Sequence, residues 1–377
     1  MPGPHSYTGE DTLELYLHGG PAVITHAIST LTSEPGVRLA EPGEFTRRAF
    51  EAGKIDLTEA EGVADIIEAE TNAQKAQALR QLTGGLTEQY DQWRADLTGI
   101  LALIEVVVDF RDEEDAPEET TAPVIRKLTR LIHEIEEALG DRGIGEKIRD
   151  GFRIAIIGAP NAGKSTLLNR LAGRDAAIVT STPGTTRDVI EVRRVMGGQV
   201  VWLSDTAGLR ETQDEIEAEG VRRAERVAAE ADLRLFMVDG GAPELGVLNS
   251  LFRQTTDIVV VNKADTELAA GLPEYDYKIS AKDGDGVPEL EAALADFISN
   301  KAASVEAPVI TRARHRARLV DGLACLIAAR DALELCTGPE LAAEDVRLAI
   351  RHLGAVVGSV GVEDVLGAVF SQFCIGK

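Results

Sequence analysis

The stretch that decides the fold runs from Arg153 to Gly173, "RIAIIGAPNAGKSTLLNRLAG". It opens as a short apolar run, the pattern of a buried strand. It closes with Leu167, Leu168 and Leu171, spaced by three and four as on one face of a helix. Between them Gly158 to Ser165 matches G-x-x-x-x-G-K-[ST], in the strand–loop–helix setting that a phosphate loop requires. The glycines let backbone N–H groups close around phosphates, and the helix N-terminus adds its dipole. In this reading Asn161, Ala162, Gly163, Lys164, Ser165 and Thr166 bind the nucleotide. Lys164 neutralises the β and γ phosphates and Ser165 is the magnesium ligand.

Working outward, "VVWLSD", "LRLFMVD", "IVVVN" and "YKIS" follow as further strand candidates, most of them separated by helical patterns. That alternation is the mark of a mostly parallel, doubly wound sheet, expected over residues 151–300. "EVRRVMGGQVVWL" reads as a hairpin turning at Gly197–Gly198, so one edge strand is expected to be antiparallel.

Four more nucleotide elements lie in order along this segment. Thr186, in "TPGTTRD", stands where a switch threonine would meet Mg²⁺ and the γ-phosphate. Asp205, Thr206, Ala207 and Gly208 form "DTAG", a second magnesium shell with a γ-phosphate amide. Asn262, Lys263, Ala264 and Asp265 form "NKAD". The Asp265 carboxylate can accept from N1–H and the 2-amino group of guanine, whereas adenine offers neither donor. Ser280, Ala281 and Lys282 form "SAK", whose backbone amides suit guanine O6. Together these elements imply GTP with Mg²⁺.

Residue 209 complicates the hydrolysis. A glutamine that orients the attacking water often follows "DTAG", but here the position is Leu209, which cannot hydrogen-bond through its side chain. An arginine finger is worth roughly 10³–10⁵ in rate, so its absence has to be offset. Asn161 inside the phosphate loop and the oxygen-rich "TSTPGTTRD" offer a cage for a monovalent cation in the place of that arginine. Glu217 is either the group that holds the water or a solvated acid of an acidic helix; spacing alone favours the second.

The bulk properties set bounds. At 377 residues the chain has room for two or three domains. Hydrophobic residues make up 44% and aromatic ones 4%, so its cores are expected to be aliphatic. No apolar run approaches the roughly 20 residues that cross a bilayer, and the start lacks a secretory pattern. These features, with three sparse cysteines, fit a reducing cytoplasm. The net charge of −24 repels nucleic acid, so any such partner would be gripped largely through a basic companion protein.

The flanks have other textures. Residues 1–85 mix a strand-like run, "LELYLHGG", with helical patterns such as "TEAEGVADIIEAE". Residues 86–150 are helical apart from the acidic connection "RDEEDAPEET", and residues 301–377 are helical again. The expected architecture is therefore multidomain: an α+β N-terminal domain, an α-helical domain formed by two chain segments, and an inserted α/β P-loop GTPase domain. "TRARHRAR", Thr311 to Arg318, is the dense basic cluster. It is read as the exposed start of a helix pairing with the acidic connection, with contact to RNA phosphate as the alternative. His5 and His18 have no metal-ligand spacing.

The flanking motifs carry a resemblance. "PHSYTGEDTLEL", "HGGP", "EPGEFTRRAFEAGKIDLTEAEGVADII" and the terminal "FCIGK", together with the GTPase elements, make the chain similar to the tRNA-modifying GTPase family MnmE (TrmE) over essentially its whole length. The resemblance implies a homodimer that works with an FAD-binding protein, MnmG, in a heterotetramer. It implies modification at C5 of the wobble uridine of certain tRNAs, with a tetrahydrofolate as one-carbon donor. It also implies K⁺ held by Asn161, Thr180, Thr182 and Thr185 within a loop that includes Ser181, Pro183 and Gly184, and G domains that pair across their nucleotide faces. Glu217 matches the family's catalytic glutamate, which reverses the preference from spacing, and Glu44, Gly84 and Lys377 match folate-site positions. Family members ordinarily begin earlier, with strands and an arginine at the folate site, so an incomplete N-terminal sheet is expected here.

The tail "FSQFCIGK" stays open. Gly376 and Lys377 fit a prenylation box poorly. Cys374 is either a packed structural cysteine or a group acting in or near one-carbon transfer, with Lys377 pairing a folate carboxylate. A different class of function is compatible with the GTPase elements: a GTP-driven assembly switch, like the Era-like and Der-like proteins, without covalent chemistry. "FCIGK" and "PGEFTRRAF" argue against it.

Overall fold

A computed structural model describes residues 1–109, 121–173, 177–179, 190–205, 226–244, 256–305, 309–335, 338–360, 363–371 and 373. The chain divides into two compact units. One comprises Met1–Ala69, Gln74–Gly145 and Ala307–Lys377; the other comprises Glu70–Ala73 and Glu146–Glu306.

The second unit is built on a seven-stranded sheet. Helix α7 (Ile144–Asp150) leads into β1 (Phe152–Gly158), and α8 (Lys164–Ala172) follows the phosphate loop. Then come β2 (Ala177–Val179), β3 (Ile190–Met196), β4 (Gln199–Asp205), β5 (Leu233–Asp239), β6 (Ile258–Asn262), β7 (Tyr277–Lys278) and α9 (Val287–Ala302). The spatial order is β2-β3-β4-β1-β5-β6-β7. The pairs β4–β1, β1–β5, β5–β6 and β6–β7 are parallel, and β2–β3 and β3–β4 are antiparallel. The hairpin at Gly197–Gly198 is present, but its antiparallel strand β3 is not the edge, because the three-residue β2 pairs outside it. The central strands are apolar on both faces, with Ile154 to Ile157, Leu235 and Val259 to Val261 all buried, as sheets covered on both sides require. The parallel strands all end at the same rim, where Gly158, Asp205, Asp239 and Asn262 stand.

The regular elements described in the first unit are helices: α1 (Pro21–Thr32), α2 (Glu44–Glu51), α3 (Leu57–Glu68), α4 (Asn72–Leu82), α5 (Gly85–Asp109), α6 (Thr121–Leu139), α10 (Ala313–Glu334), α11 (Pro339–Val357) and α12 (Glu363–Phe370). Its core is a set of three-and-four ladders. Leu97, Ile100 and Ile104 of α5 meet Val124, Leu128, Leu131 and Ile135 of α6, Leu326 and Leu333 of α10, and Val346 and Leu353 of α11. Two distant chain segments thus share one core, which makes α5, α6, α10 and α11 a single bundle.

Helix α3 begins where the sequence supplies a capping box. The Asp56 side chain accepts from the Glu59 amide at 2.8 Å, and the Glu59 carboxylate accepts from the Asp56 amide at 2.8 Å. A smaller apolar cluster of Leu57, Ala60, Val369, Phe370 and Phe373 seats the C-terminal helix on α2 and α3. Gly43 lies at the close approach: its φ is 69°, and a Cβ there would lie 2.8 Å from the Phe370 carbonyl oxygen.

Two expectations are corrected. The run "LELYLHGG" forms no strand; residues 11–20 have no regular structure, and Leu13 and Tyr16 are 81% and 90% exposed. A strand needs a neighbour to complete its hydrogen bonds, and no described strand lies in residues 1–85.

The basic cluster is not an exposed helix start. Thr311, Arg312 and His315 are buried, and Arg314 is held by the fully buried Glu61 of α3. Arg312 pairs with Asp65 at 2.7 Å and Arg316 with Asp141 at 2.6 Å. These arginines are counter-ions of buried acids, which leaves them unavailable as an RNA phosphate contact. The acidic connection expected to pair with them lies outside the described residues.

Candidate nucleotide site

The phosphate loop is shaped by contacts that forbid side chains at two points. A Cβ on Gly158 would lie 2.4 Å from the Met237 carbonyl oxygen of β5, so the loop leaves β1 tight against its neighbour. A Cβ on Gly163, at φ 95°, would lie 2.1 Å from Asn262 Nδ2. Asn161 also takes the left-handed conformation, at φ 64°, which asparagine tolerates better than most residues, and its side chain is exposed.

Lys164 is buried, and its ammonium donates to the carbonyls of Gly158 and Ala159 at 2.8 Å each. Burial lowers its pKa and the nearby Asp205 carboxylate partly opposes that. A loop of N–H groups around an ammonium is a cradle for phosphate. At the foot of the cradle Ser165 Oγ donates to Asp205 Oδ2 at 2.5 Å. Two hard oxygen donors in contact, beside a place for phosphates, suit Mg²⁺. The residues present fit that ion.

The base-reading side is organised around Asn262, which is buried at the end of β6. Its Nδ2 donates to the Ala162 carbonyl at 2.7 Å and its Oδ1 accepts from the Ala281 amide at 2.8 Å. One side chain thereby ties the phosphate loop to the "SAK" loop. Lys263, at φ 64°, sends its ammonium to Asp239 Oδ2 at 2.5 Å. Asp265 is exposed, and its carboxylate is held below the usual range mainly by a hydrogen bond from Ser280. An ionised, accessible acceptor beside an ordered loop of amides is the arrangement expected for a guanine reader.

The structure thus brings Asn161, Ala162, Gly163, Lys164, Ser165, Thr166, Asp205, Asn262, Lys263, Ala264, Asp265, Ser280, Ala281 and Lys282 to one rim of the sheet. Thr180, Ser181, Thr182, Pro183, Gly184, Thr185, Thr186, Thr206, Ala207, Gly208 and Glu217 lie outside the described residues, as do Cys374 and Lys377. Asp239 was missed in the sequence, although an acid closing the buried run "LRLFMVD" was a usable signal.

In the first unit, Glu44 is engaged by three groups. Arg38 donates at 2.7 and 2.8 Å, Arg48 at 2.6 Å and the Glu41 amide at 2.8 Å. Its pKa falls to about 2, chiefly through Arg38. Phe373, the residue before Cys374, packs against neighbouring Gly43, so the chain approaches this turn as it nears its end. Gly84, at φ 83°, stands near Glu59 in the turn between α4 and α5.

Comparison with known proteins now bears on these two regions together. The family model for the MnmE helical domain matches residues 57–374, and that for the GTP-binding protein TrmE N-terminus matches residues 1–54. The chain is 67% identical to the tRNA modification GTPase MnmE of Hyphomonas neptunium over 99% of its own length and 84% of that protein's. The chain belongs to the MnmE family. Other relatives are the MnmE proteins of Parvibaculum lavamentivorans, 53% identical over 100% of this chain and 85% of that one, and of Maricaulis maris, 52% identical over the same shares. Membership of the MnmE family makes the chain a GTPase of tRNA modification, and GTP is its nucleotide. Among the described residues no helix is long and apolar enough to cross a membrane.

The close approach at Gly163 gives a direct test of the cradle. Gly163→Ala places a methyl group where Asn262 Nδ2 now stands, at a backbone angle that disfavours side chains. Asn262 must leave, breaking its bonds to both loops. The expected loss is roughly 10- to 100-fold in GDP affinity, from about 1–3 kcal/mol of forced strain, measured by calorimetric titration. Unchanged affinity would show that the Gly163–Asn262 contact is not maintained with nucleotide bound.

Proposed function

We propose that this chain is a K⁺-stimulated GTP hydrolase that, as a homodimer with an FAD-binding MnmG-type partner, modifies C5 of the wobble uridine of certain tRNAs using a tetrahydrofolate one-carbon donor. The observation that supports it best is the meeting of Lys164, Ser165, Asp205, Asn262, Asp265 and Ser280–Lys282 at one sheet rim in a chain that matches the MnmE family from end to end.

In this reading the phosphate-loop amides and Lys164 hold the β and γ phosphates, while Asp265 and the "SAK" amides hold guanine. Mg²⁺, bound through Ser165 and Thr186, supplies neutralising charge on the phosphates. K⁺, bound near Asn161, Thr180, Thr182 and Thr185, supplies the charge that an arginine finger would bring. Leu209 cannot orient water, so Glu217 takes that role. Glu44, Gly84 and Lys377 are the candidates for the folate site, and Phe373 packs on Gly43, the neighbour of Glu44. The domains are proposed as 1–85, 86–150 with 301–377, and 151–300.

GTP turnover measured in KCl and in NaCl at matched ionic strength tests the cation, and equal rates would remove it. Wobble-uridine analysis of tRNA from a strain lacking the gene tests the modification. Unaltered tRNA would favour the assembly-switch reading.

A further inference from the structure

We infer that Arg170, on the helix that follows the phosphate loop, positions the "SAK" loop for reading guanine O6 and so sets base specificity from behind the site. The inference rests on the reading of Ser280–Lys282 as the O6 reader.

Arg170 lies on α8 with its guanidinium against the loop that follows β7. Its Nε donates to the Ala281 carbonyl at 2.7 Å and its Nη2 donates to the Lys282 carbonyl. The contact is built from both sides. Gly284 has a φ of 105°, and a Cβ there would lie 2.6 Å from Arg170 Nη1, so glycine makes the room that the guanidinium fills. The loop is otherwise closed on itself: the Gly284 amide donates to Ser280 O at 2.7 Å, and the Ser280 amide to Asp285 O at 2.9 Å.

The peptide plane converts these contacts into a function. In a trans peptide the carbonyl of one residue and the N–H of the next point in opposite directions. Fixing the Ala281 carbonyl toward α8 therefore aims the Lys282 N–H away from α8. The Ala281 amide is already taken by Asn262 Oδ1 at 2.8 Å. Among the described residues no acceptor is found for the Lys282 amide, which makes it the member of the triplet that is free to meet O6. A guanidinium on the carbonyl also polarises the same peptide and strengthens its N–H as a donor. Arg170 touches neither nucleotide nor water in this scheme and is a positioning residue.

The test compares triphosphates that differ in the base. GTP and ITP carry O6, whereas 2-aminopurine riboside triphosphate carries hydrogen at C6. In Arg170→Ala the affinities for GTP and ITP should each fall roughly five- to tenfold, the range for one hydrogen bond, while that for the 2-aminopurine nucleotide should hardly change. Arg170→Lys, which keeps the charge and can reach one carbonyl, should recover part of the loss and serves if the alanine variant folds poorly. Equal losses for all three nucleotides would make Arg170 a general support of the fold and overturn the inference, as would no loss at all. If the unaltered protein itself fails to favour GTP and ITP over the 2-aminopurine nucleotide, the O6 reading fails first, and that result is distinct from a failure of Arg170.

Discussion

Asp265→Asn should turn this chain from a binder of guanine nucleotides into a binder of xanthine nucleotides. Guanine presents two donors on the edge that Asp265 would meet, N1–H and the 2-amino group. A carboxylate accepts both. Xanthine keeps the N1–H but has a carbonyl at C2, which a carboxylate repels. An asparagine amide reverses the match, because its oxygen accepts from N1–H while its nitrogen donates to the C2 carbonyl. With guanine the same nitrogen faces an amino group, two donors with no acceptor between them.

The size of the exchange follows from what surrounds the residue. The hydrogen bond from Ser280 lowers the Asp265 pKa further below the ordinary carboxylate value, and bonds from an ionised carboxylate to guanine are charge-assisted and stronger than amide bonds. Sites built to hydrogen-bond a group reject its analogue by factors up to about 10⁴–10⁵. Asp265 is exposed before nucleotide binds, which places the expected loss of GTP affinity lower, on the order of 10²–10³. XTP affinity should rise by a similar factor. Competition of XTP and GTP for a fluorescent guanine nucleotide measures both. A variant that loses GTP without gaining XTP would mean that Asp265 supports the loop and does not read the base. Because the change leaves the phosphate cradle untouched, GDP and GTP should lose affinity in equal proportion.

The GTP-binding unit was largely legible in the sequence because its determinants are local. Buried parallel strands are continuous apolar runs, and the phosphate loop is fixed by glycines within eight residues. β2 escaped because three residues, Ala177 to Val179, are too few to show a period. "LELYLHGG" misled because alternation registers a strand's potential face but not the neighbour that would complete it. The cluster at Thr311–Arg318 misled for another reason. Dense arginines read as solvated charge unless their counter-ions are in view, and Glu61 lies 253 positions from Arg314. Arg170 was invisible on the same account: its partners are two backbone carbonyls, which no side-chain motif encodes.

That buried cluster carries the other large expectation. Glu61 is fully buried and accepts from Arg314 at 2.6 and 2.8 Å, with Arg312 at 3.4 Å and His315 Nε2 at 3.0 Å. Arg314 also donates to the Val356 carbonyl at 2.8 Å, near the end of α11. Glu61→Ala would leave the Arg314 guanidinium partly out of water without its acid, while Arg312 keeps Asp65 at 2.7 Å, and removing one partner of a buried pair costs about 3–5 kcal/mol. Thermal unfolding of the full chain should show the transition of the helical unit falling by several degrees. A transition that GDP raises reports the nucleotide-binding unit, and it should stay in place. The pH dependence has a definite sign. His315 donates from Nε2 to Glu61, and its Nδ1 accepts weakly from the Thr311 amide at 3.4 Å, the pattern of a neutral ring. Burial, opposed by the charge and hydrogen bond of Glu61 and aided by Arg314 and Arg312, lowers its pKa to about 4. The unfolded chain takes up that proton near 6.5 and the folded chain does not until near 4, so stability is lost as pH falls through that window. Glu61, held below the usual carboxylate range chiefly by His315 and Arg314 against the cost of burial, adds loss in the same direction at lower pH. His315→Gln should flatten the slope between pH 6.5 and 4 while keeping a hydrogen bond to Glu61. If unfolding of the helical unit is equally pH-dependent in that variant, the titrating group is elsewhere, and the cluster contributes through packing alone.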